Sequence, residues 1–412
     1  MNKNQTIKKL TACICAAAVA ALSCVAVSFA AEKEDVLEEL SDTSLYLLEQ
    51  NSSADYTNDY VLGAVVSGAV DESFCESYKE SVEAALSEND GKLMYTDYYS
   101  GEQTESLMYE ATAAIVLNKM GYDTTDIGGY NFADILASYD LSLVSNPYYL
   151  CEALKAARAI NAGDELEQKL LEALMAYYTV DESDSSLGGM DYWGISTDNN
   201  GVFIDAVAPY MSENEEVKEA VEKSLNFILS MKRDDGYDSS VAYASEYGNP
   251  DSTALALRAF IACGDDENAA EAYSLLLGFK SSQTTGAYLY YGSDNVYATK
   301  DAQSALLAYY EYLASSSSEE ETTESTETTT DETTEADETT TEATTAESDD
   351  ESESTTAEDT EAEETTTTTA STTESSTAST STDSNPNTGA TGITATVTML
   401  AIAGAIALKK RR

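Results

Sequence analysis

Between Glu32 and Ala314 apolar residues recur at helical spacing almost without a break. Val36, Leu40, Leu47 and Leu48 form one stripe, and Leu107, Ala111, Ala114, Ile115 and Met120 form another. Leu154, Ala157 and Ile160 pair with Leu166, Leu170, Leu171 and Leu174 around Gly163-Asp164. Val217, Val221, Leu225, Ile228 and Met231 continue the series, as do Ala254, Leu257, Phe260 and Ile261. Gly121, Gly163 and Gly264 follow periodic runs and predict helix C-caps. Asn146-Pro147 and Asn249-Pro250 predict helix starts. Strand-like alternation is confined to short loops. The pattern predicts eleven or twelve helices and an all-α class.

The loops repeat. Gly91-Lys-Leu-Met-Tyr, Gly188-Gly-Met-Asp-Tyr, Gly236-Tyr-Asp and Gly286-Ala-Tyr-Leu-Tyr each open a Gly/Tyr/Asp/Ser segment, and Tyr139-Asp140 falls midway between the first two. Gly188 to Gly236 spans 48 residues and Gly236 to Gly286 spans 50. A small-residue helix follows each loop, as in Ser252-Thr253-Ala254-Leu255-Ala256 and Asp301-Ala302-Gln303-Ser304-Ala305. A period near 48 residues marks a repeat architecture, because one helical hairpin cannot bury its apolar face alone. The Ala/Ser/Thr-rich helices suit an inner ring and their larger-faced partners an outer one.

Asp234-Asp235-Gly236-Tyr237, followed by Gly248-Asn249-Pro250-Asp251-Ser252-Thr253-Ala254-Leu255-Ala256-Leu257-Arg258-Ala259, resembles the (α/α) toroid repeats of the protein-prenyltransferase and terpenoid-cyclase superfamily. The likeness is clearest from Val217 to Leu313, and weaker copies extend it back to about Asp35. It implies a toroid of about six helical hairpins over residues 31–314, with a central cavity at one end. Surface proteins with such repeats and corrinoid-type small-molecule carriers share this barrel. The chemistry does not carry over. The superfamily's zinc site needs His, which this chain lacks, and its cyclases need an Asp-x-Asp-Asp motif, which is also absent.

The two ends of the chain read as addresses. Lys3, Lys8 and Lys9 precede an apolar run from Leu10 to Phe29, predicting a signal peptide over residues 1–30 with cleavage between Ala30 and Ala31. Residues 315–384 are almost wholly Thr, Ser, Glu, Asp and Ala, with 23 acids and no base. Such a segment predicts an extended, disordered spacer. Ala390 to Leu408 is uncharged and, at about 1.5 Å per residue, long enough to span a membrane. Asn385-Pro386-Asn387-Thr388-Gly389 before it and Lys409-Lys410-Arg411-Arg412 after it resemble a Gram-positive sortase sorting signal over residues 385–412. That resemblance implies cleavage between Thr388 and Gly389, with sortase and the cell wall or membrane as partners, and a cell-surface location.

Charge narrows the function. The chain carries 75 acidic and 21 basic residues, a net charge of −54, and no His. Clustered cations for nucleic acid are missing, and Ser-His-Asp, Cys-His and His-ligated zinc chemistry are excluded. No cofactor or metal is expected: around Gly201 a calcium loop would need acids where Ser196 and Val207 stand. Three cysteines remain in the mature body, Cys75, Cys151 and Cys263, without a CxxC pair, and are expected as free thiols.

Candidate chemistry lies in the repeat loops. Asp234, Asp235 and Asp238 are candidates for a carboxyl-only acid or for loop and helix caps. Asp251 reads either as a cavity-facing ligand group or as a first-turn helix acid. Tyr192, Trp193, Tyr237, Tyr243, Tyr247, Tyr288 and Tyr290 are candidates for a ligand-binding rim. The leading expectation is a surface-anchored, non-catalytic toroid that binds an unidentified small molecule or protein through this rim. The alternatives are a cyclase- or lyase-type enzyme using carboxyl groups alone, a corrinoid-type carrier, and a structural adhesin head.

Overall fold

A computed structural model describes residues 33–324, apart from the side chains of Tyr243 and of residues 317–324. Twelve α-helices occupy the described residues. They are α1 (33–50), α2 (Val61–Val66), α3 (Glu72–Glu88), α4 (Leu107–Lys119), α5 (Phe132–Ser138), α6 (Pro147–Ala159), α7 (Asp164–Met175), α8 (Thr197–Val207), α9 (Glu215–Ser230), α10 (Pro250–Ala262), α11 (Asp266–Leu277) and α12 (Val296–Glu324). The class is all-α, as the periodicity predicts. Residues 315–324, which the composition assigns to the spacer, are the last turns of α12. The signal cleavage at Ala30 and Ala31, the rest of the spacer, and the sorting signal with Thr388, Gly389 and its apolar span lie outside the described residues. Among the described residues no helix is long and apolar enough to cross a membrane.

Local chemistry sets the helix ends. Ser106, Asn146, Ser196 and Asn249 accept from first-turn amides of α4, α6, α8 and α10, and Pro147 and Pro250 occupy positions where no amide is needed. Gly121 and Gly264 follow their helices at φ 83° and 66°. At the end of α6 the left-handed residue is instead Asn161, at φ 52°. Asn tolerates this conformation, which leaves Gly163, at φ 104°, as the N-cap of α7.

Four two-stranded antiparallel hairpins precede even-numbered helices. β1–β2 (Met94–Thr96, Gln103–Glu105) leads to α4 and β3–β4 (Tyr178–Val180, Gly188–Met190) to α8. β5–β6 (Lys232–Arg233, Gly236–Tyr237) leads to α10 and β7–β8 (Leu289–Tyr290, Ser293–Asp294) to α12. One polar lock recurs. The amides of Leu93, Met190, Tyr237 and Tyr288 donate to Glu110 Oε1 (3.3 Å), Asn200 Oδ1 (3.1 Å), Thr253 Oγ1 (2.9 Å) and Thr299 Oγ1 (2.9 Å). Each lock joins a loop to the first turns of the helix it feeds, so the sequence repeat is also a hydrogen-bonding repeat.

The helices divide into two layers. α8 and α10 are buried on nearly every face, whereas α7 and α9 bury a single stripe. α4 packs on α2 and α6, α6 on α8, and α8 on α10, while α7, α9 and α11 back α6, α8 and α10. Close approach explains the small residues: a Cβ at Gly201 of α8 would lie 2.5 Å from the Leu255 carbonyl oxygen of α10. α12 returns to the beginning. Gln303 Nε2 donates to Ser44 Oγ at 2.9 Å and to the Tyr60 carbonyl at 3.3 Å, and its side chain lies against Gly63, which leaves room for it. Lys300 pairs with Asp59 and Lys119 of α4 with Glu311.

Cys151 is buried and Cys75 and Cys263 are half-buried, all three as free thiols. Gln303→Ala strands the buried Ser44 hydroxyl and leaves a void, and is expected to cost about 2–3 kcal/mol in chemical denaturation.

Candidate functional site

The recurring lock fixes the register of α8, α10 and α12, and these helices and α6 each carry a stripe at i, i+4 and i+7 from their second residue. α6 carries Tyr148, Glu152 and Lys155 there; α8 carries Asp198, Val202 and Asp205; α10 carries Asp251, Leu255 and Arg258. α12 carries Tyr297, Asp301 and Ser304. Charged members of these stripes meet one another and form two tiers.

The inner tier is a charge cluster. Asp205 pairs with Arg258 and, at 3.2 Å, with Lys155, which also pairs with Glu152 at 2.9 Å. Burial raises the Asp205 carboxyl, but Arg258 and Lys155 outweigh it and hold the group well below the usual carboxylate range. Two cations and two anions therefore balance where three helices touch.

The outer tier lies within the first two turns of α8, α10 and α12 and has no such balance. Asp198 accepts from Ser252 Oγ at 2.5 Å and Ser239 Oγ at 3.2 Å. Asp251 is 6% exposed and Asp301 7%, and Asp251 Oδ1 has no hydrogen-bond partner. Burial pushes Asp251 far up, and the neighbouring Asp301 and Asp198 charges push it further. Burial pushes Asp301 up to about 7, against the pull of Lys300. Asp198 is also raised by burial, but its two serine donors favour the ionised form. The tier thus sets carboxyls whose protons are held by burial beside one supported by hydroxyl donors, a combination suited to proton donation and acceptance.

Aromatic rings wall this tier. Tyr148 donates to Asn199 Oδ1 at 2.7 Å and its ring stands 5.9 Å from that of Tyr192, which is 6.0 Å from Trp193. Among the described residues the exposed aromatic side chains are Tyr98, Tyr99, Trp193, Tyr247 and Tyr291, and each lies in a loop that feeds an even-numbered helix.

The sequence candidates separate accordingly. Asp251 belongs to the outer tier, and Tyr192 and Trp193 stand beside it. Tyr247 is exposed and Tyr290 half-buried in other loops of the same kind. The backbone of Tyr243 forms part of a short 3-10 turn, and its side chain lies outside the described set. Tyr237 and Tyr288 are fully buried and cannot reach a ligand at a rim: Tyr237 packs 5.8 Å from Phe260, and Tyr288 donates to Glu39. Asp234, Asp235 and Asp238 lie outside this tier and serve their own loop. Asp234 and Asp235 are exposed, and Asp235 accepts the Gly248 amide at 2.7 Å. Asp238 fastens its loop through Arg233, Ser239 and Ser245.

Asp301, Asp205, Arg258 and Lys155 escaped the sequence reading. Their signal was a charge set among Ala and other small or apolar residues of a helix, as in Leu257-Arg258-Ala259, where burial demands a partner. Glu110 shows the contrast. It is fully buried and burial raises it to about 8, yet it occupies the lock position held elsewhere by Asn200, Thr253 and Thr299. Its role is structural. Among the described residues no group of three or more Cys, Asp or Glu is disposed to hold a metal ion. Surface concavities of about 390 and 510 Å³ open elsewhere, near Glu39 and Lys280 and near Lys119 and Tyr310.

No protein-family model matches the chain, and no curated protein matches it significantly. Among solved structures, a polysaccharide lyase is similar with a TM-score of 0.47 and 12% identity, over 69% of this chain and 99% of that one. At that level the likeness carries no weight for function, which rests on the residues themselves.

Arg258→Ala leaves Asp205 short of a cation and is expected to destabilise the body by about 3–5 kcal/mol in denaturant titration. Glu110 keeps its proton in the folded chain between its unperturbed value of 4.5 and about 8. Its stabilising contribution is therefore full at acid pH and declines as pH rises through that window. Glu110→Gln is expected to flatten the fall in melting temperature toward pH 8, with the lock retained.

Proposed function

We propose that the body is an (α/α) toroid of six hairpins whose acidic end is an acid–base catalytic site for a neutral, hydroxyl-rich substrate. The return of α12 to α1, α2 and α4 supports the toroid. The carrying observation for the site is the convergence of Asp198, Asp251 and Asp301 from three successive inner helices, with Asp251 Oδ1 buried and unpartnered.

The roles follow from the surroundings. Asp301, with its proton held to about 7, donates to a leaving oxygen. Asp251, whose proton is held by burial and by the neighbouring Asp301 and Asp198 charges, donates a hydrogen bond that orients the substrate. Asp198, supported by Ser252 and Ser239, accepts a proton from the attacking water. A C–O bond breaks, water supplies the new C–OH, and the proton lost by Asp301 is replaced by way of Asp198. Three clustered acids disfavour an anionic substrate.

A screen of neutral ethers, esters and glycosides is expected to yield a substrate whose turnover falls as pH rises above about 7, where Asp301 ionises. Asp301→Asn is expected to lower kcat by about 10²–10⁴-fold with little change in KM or melting temperature. Full activity in that variant would remove the reading. A second reading, binding without turnover, is favoured by the exposed aromatics of the loops, and saturable binding with no product would select it.

We also propose export and surface anchoring, supported by the apolar runs and basic flanks of the two ends. Mass spectrometry of wall-released protein is expected to find a peptide ending at Thr388. Retention of residues 389–412 in all the protein recovered would rule out cleavage there.

A further inference from the structure

The loop before α8 is held in an unusual shape. Asn199 accepts from Tyr148 and donates through Nδ2 to the carbonyls of Tyr192 (3.0 Å) and Gly194 (2.8 Å). Asp191 Oδ1 accepts the Gly194 amide at 3.0 Å. Between these ties Trp193 adopts φ 65° and remains 73% exposed. Four non-glycine residues have positive φ among the described residues. Two of them, Asp90 and Asn161, are of types that tolerate it. The other two, Trp193 and Tyr291, are bulky and exposed, so the backbone accepts an unfavourable conformation at two places where a ring faces water.

Trp193 is not isolated from the acids. Its ring, that of Tyr192 and that of Tyr148 step inward at 6.0 and 5.9 Å, and Tyr148 senses the charges of Asp198 and Asp301. The three rings thus form a continuous aromatic series from exposed Trp193 to the neighbourhood of the carboxyl groups. One of those groups, Asp251, keeps a buried oxygen without a hydrogen-bond partner. A sugar ring has the matching anatomy: C–H groups on its faces for the indole and hydroxyls on its edge for the acids. The charge of the outer tier disfavours uronate-type sugars.

We infer that Tyr192 and Trp193 form a stacking subsite for one ring of a neutral glycan, whose adjoining ring enters the acidic tier. The inference rests on the acid–base reading of that tier and names its substrate class. Asn199 is a positioning residue, acting through the loop it ties.

Trp193 is the sole tryptophan of the chain, so its emission reports this subsite alone. The full chain is titrated with hexasaccharides of glucose, mannose and xylose, with oligogalacturonate as the anionic control. A saturable emission shift is expected with at least one neutral sugar and none with oligogalacturonate. By calorimetry, Trp193→Ala is expected to weaken that sugar at least tenfold, while Trp193→Phe stays within about threefold. Absence of a shift with every neutral sugar, or unchanged affinity in Trp193→Ala, overturns the subsite. The two proposals fail separately. Sugar binding that depends on Trp193 but gives no product supports the subsite and removes catalysis. Turnover lost in Asp301→Asn but untouched in Trp193→Ala removes the subsite and leaves the acid site standing.

Discussion

Asp205 is one carboxylate shared by cations from two other helices, Lys155 of α6 and Arg258 of α10. In a layer built from Ala, Gly, Ser and Thr, where helices approach closely and few side chains are long enough to interlock, this cluster fixes rotation as well as distance. A helix turned by one residue would carry its charge away from its partner and into an apolar contact. The price of burying such charges is met only when every partner is in place. The stripe that delivers Asp205 and Arg258 is the one that delivers Asp198 and Asp251 two turns earlier, so the cluster also aims the carboxyls of the outer tier.

The two tiers use the same residue types to opposite ends. Below, acids and bases alternate and the charges are satisfied. Above, three acids share a confined space with hydroxyls and phenols, and only Lys300 and the charge of Arg258 act against the repulsion. A chain without His has no side chain that titrates near neutrality unperturbed. Confinement lets aspartate take that place.

Much of this was legible in the residues. Helical spacing marks the elements, and the Gly/Tyr/Asp loops mark the repeats and bring Asp251, Tyr192 and Trp193 into view. Tyr237 and Tyr288 were misassigned to the rim because a tyrosine after a loop glycine looks the same whether its ring turns outward or into the core. Their backbone amides lock to Thr253 and Thr299, which points the rings inward. Asp234 and Asp235 drew notice as a pair, yet two acids at a turn are most simply loop fasteners. Asp301 was overlooked because its meaning depends on Asp198 and Asp251, which reach it only through packing of three helices. Spacing along one helix is written in sequence, whereas juxtaposition across helices is not.

The contacts of Gln303 reach across 259 residues to Ser44 and 243 to Tyr60. Local hairpins can form as they emerge from synthesis, but the seam between first and last units waits for almost the whole body. Contacts so distant in sequence form slowly, because loop closure must precede their reward. Until α12 docks, the small-residue faces of α1 and α2 stand open to solvent and to neighbouring chains. Docking of the final helix is therefore expected to come last in folding, and the acidic sequence that follows it offers like-charge repulsion between copies during that interval.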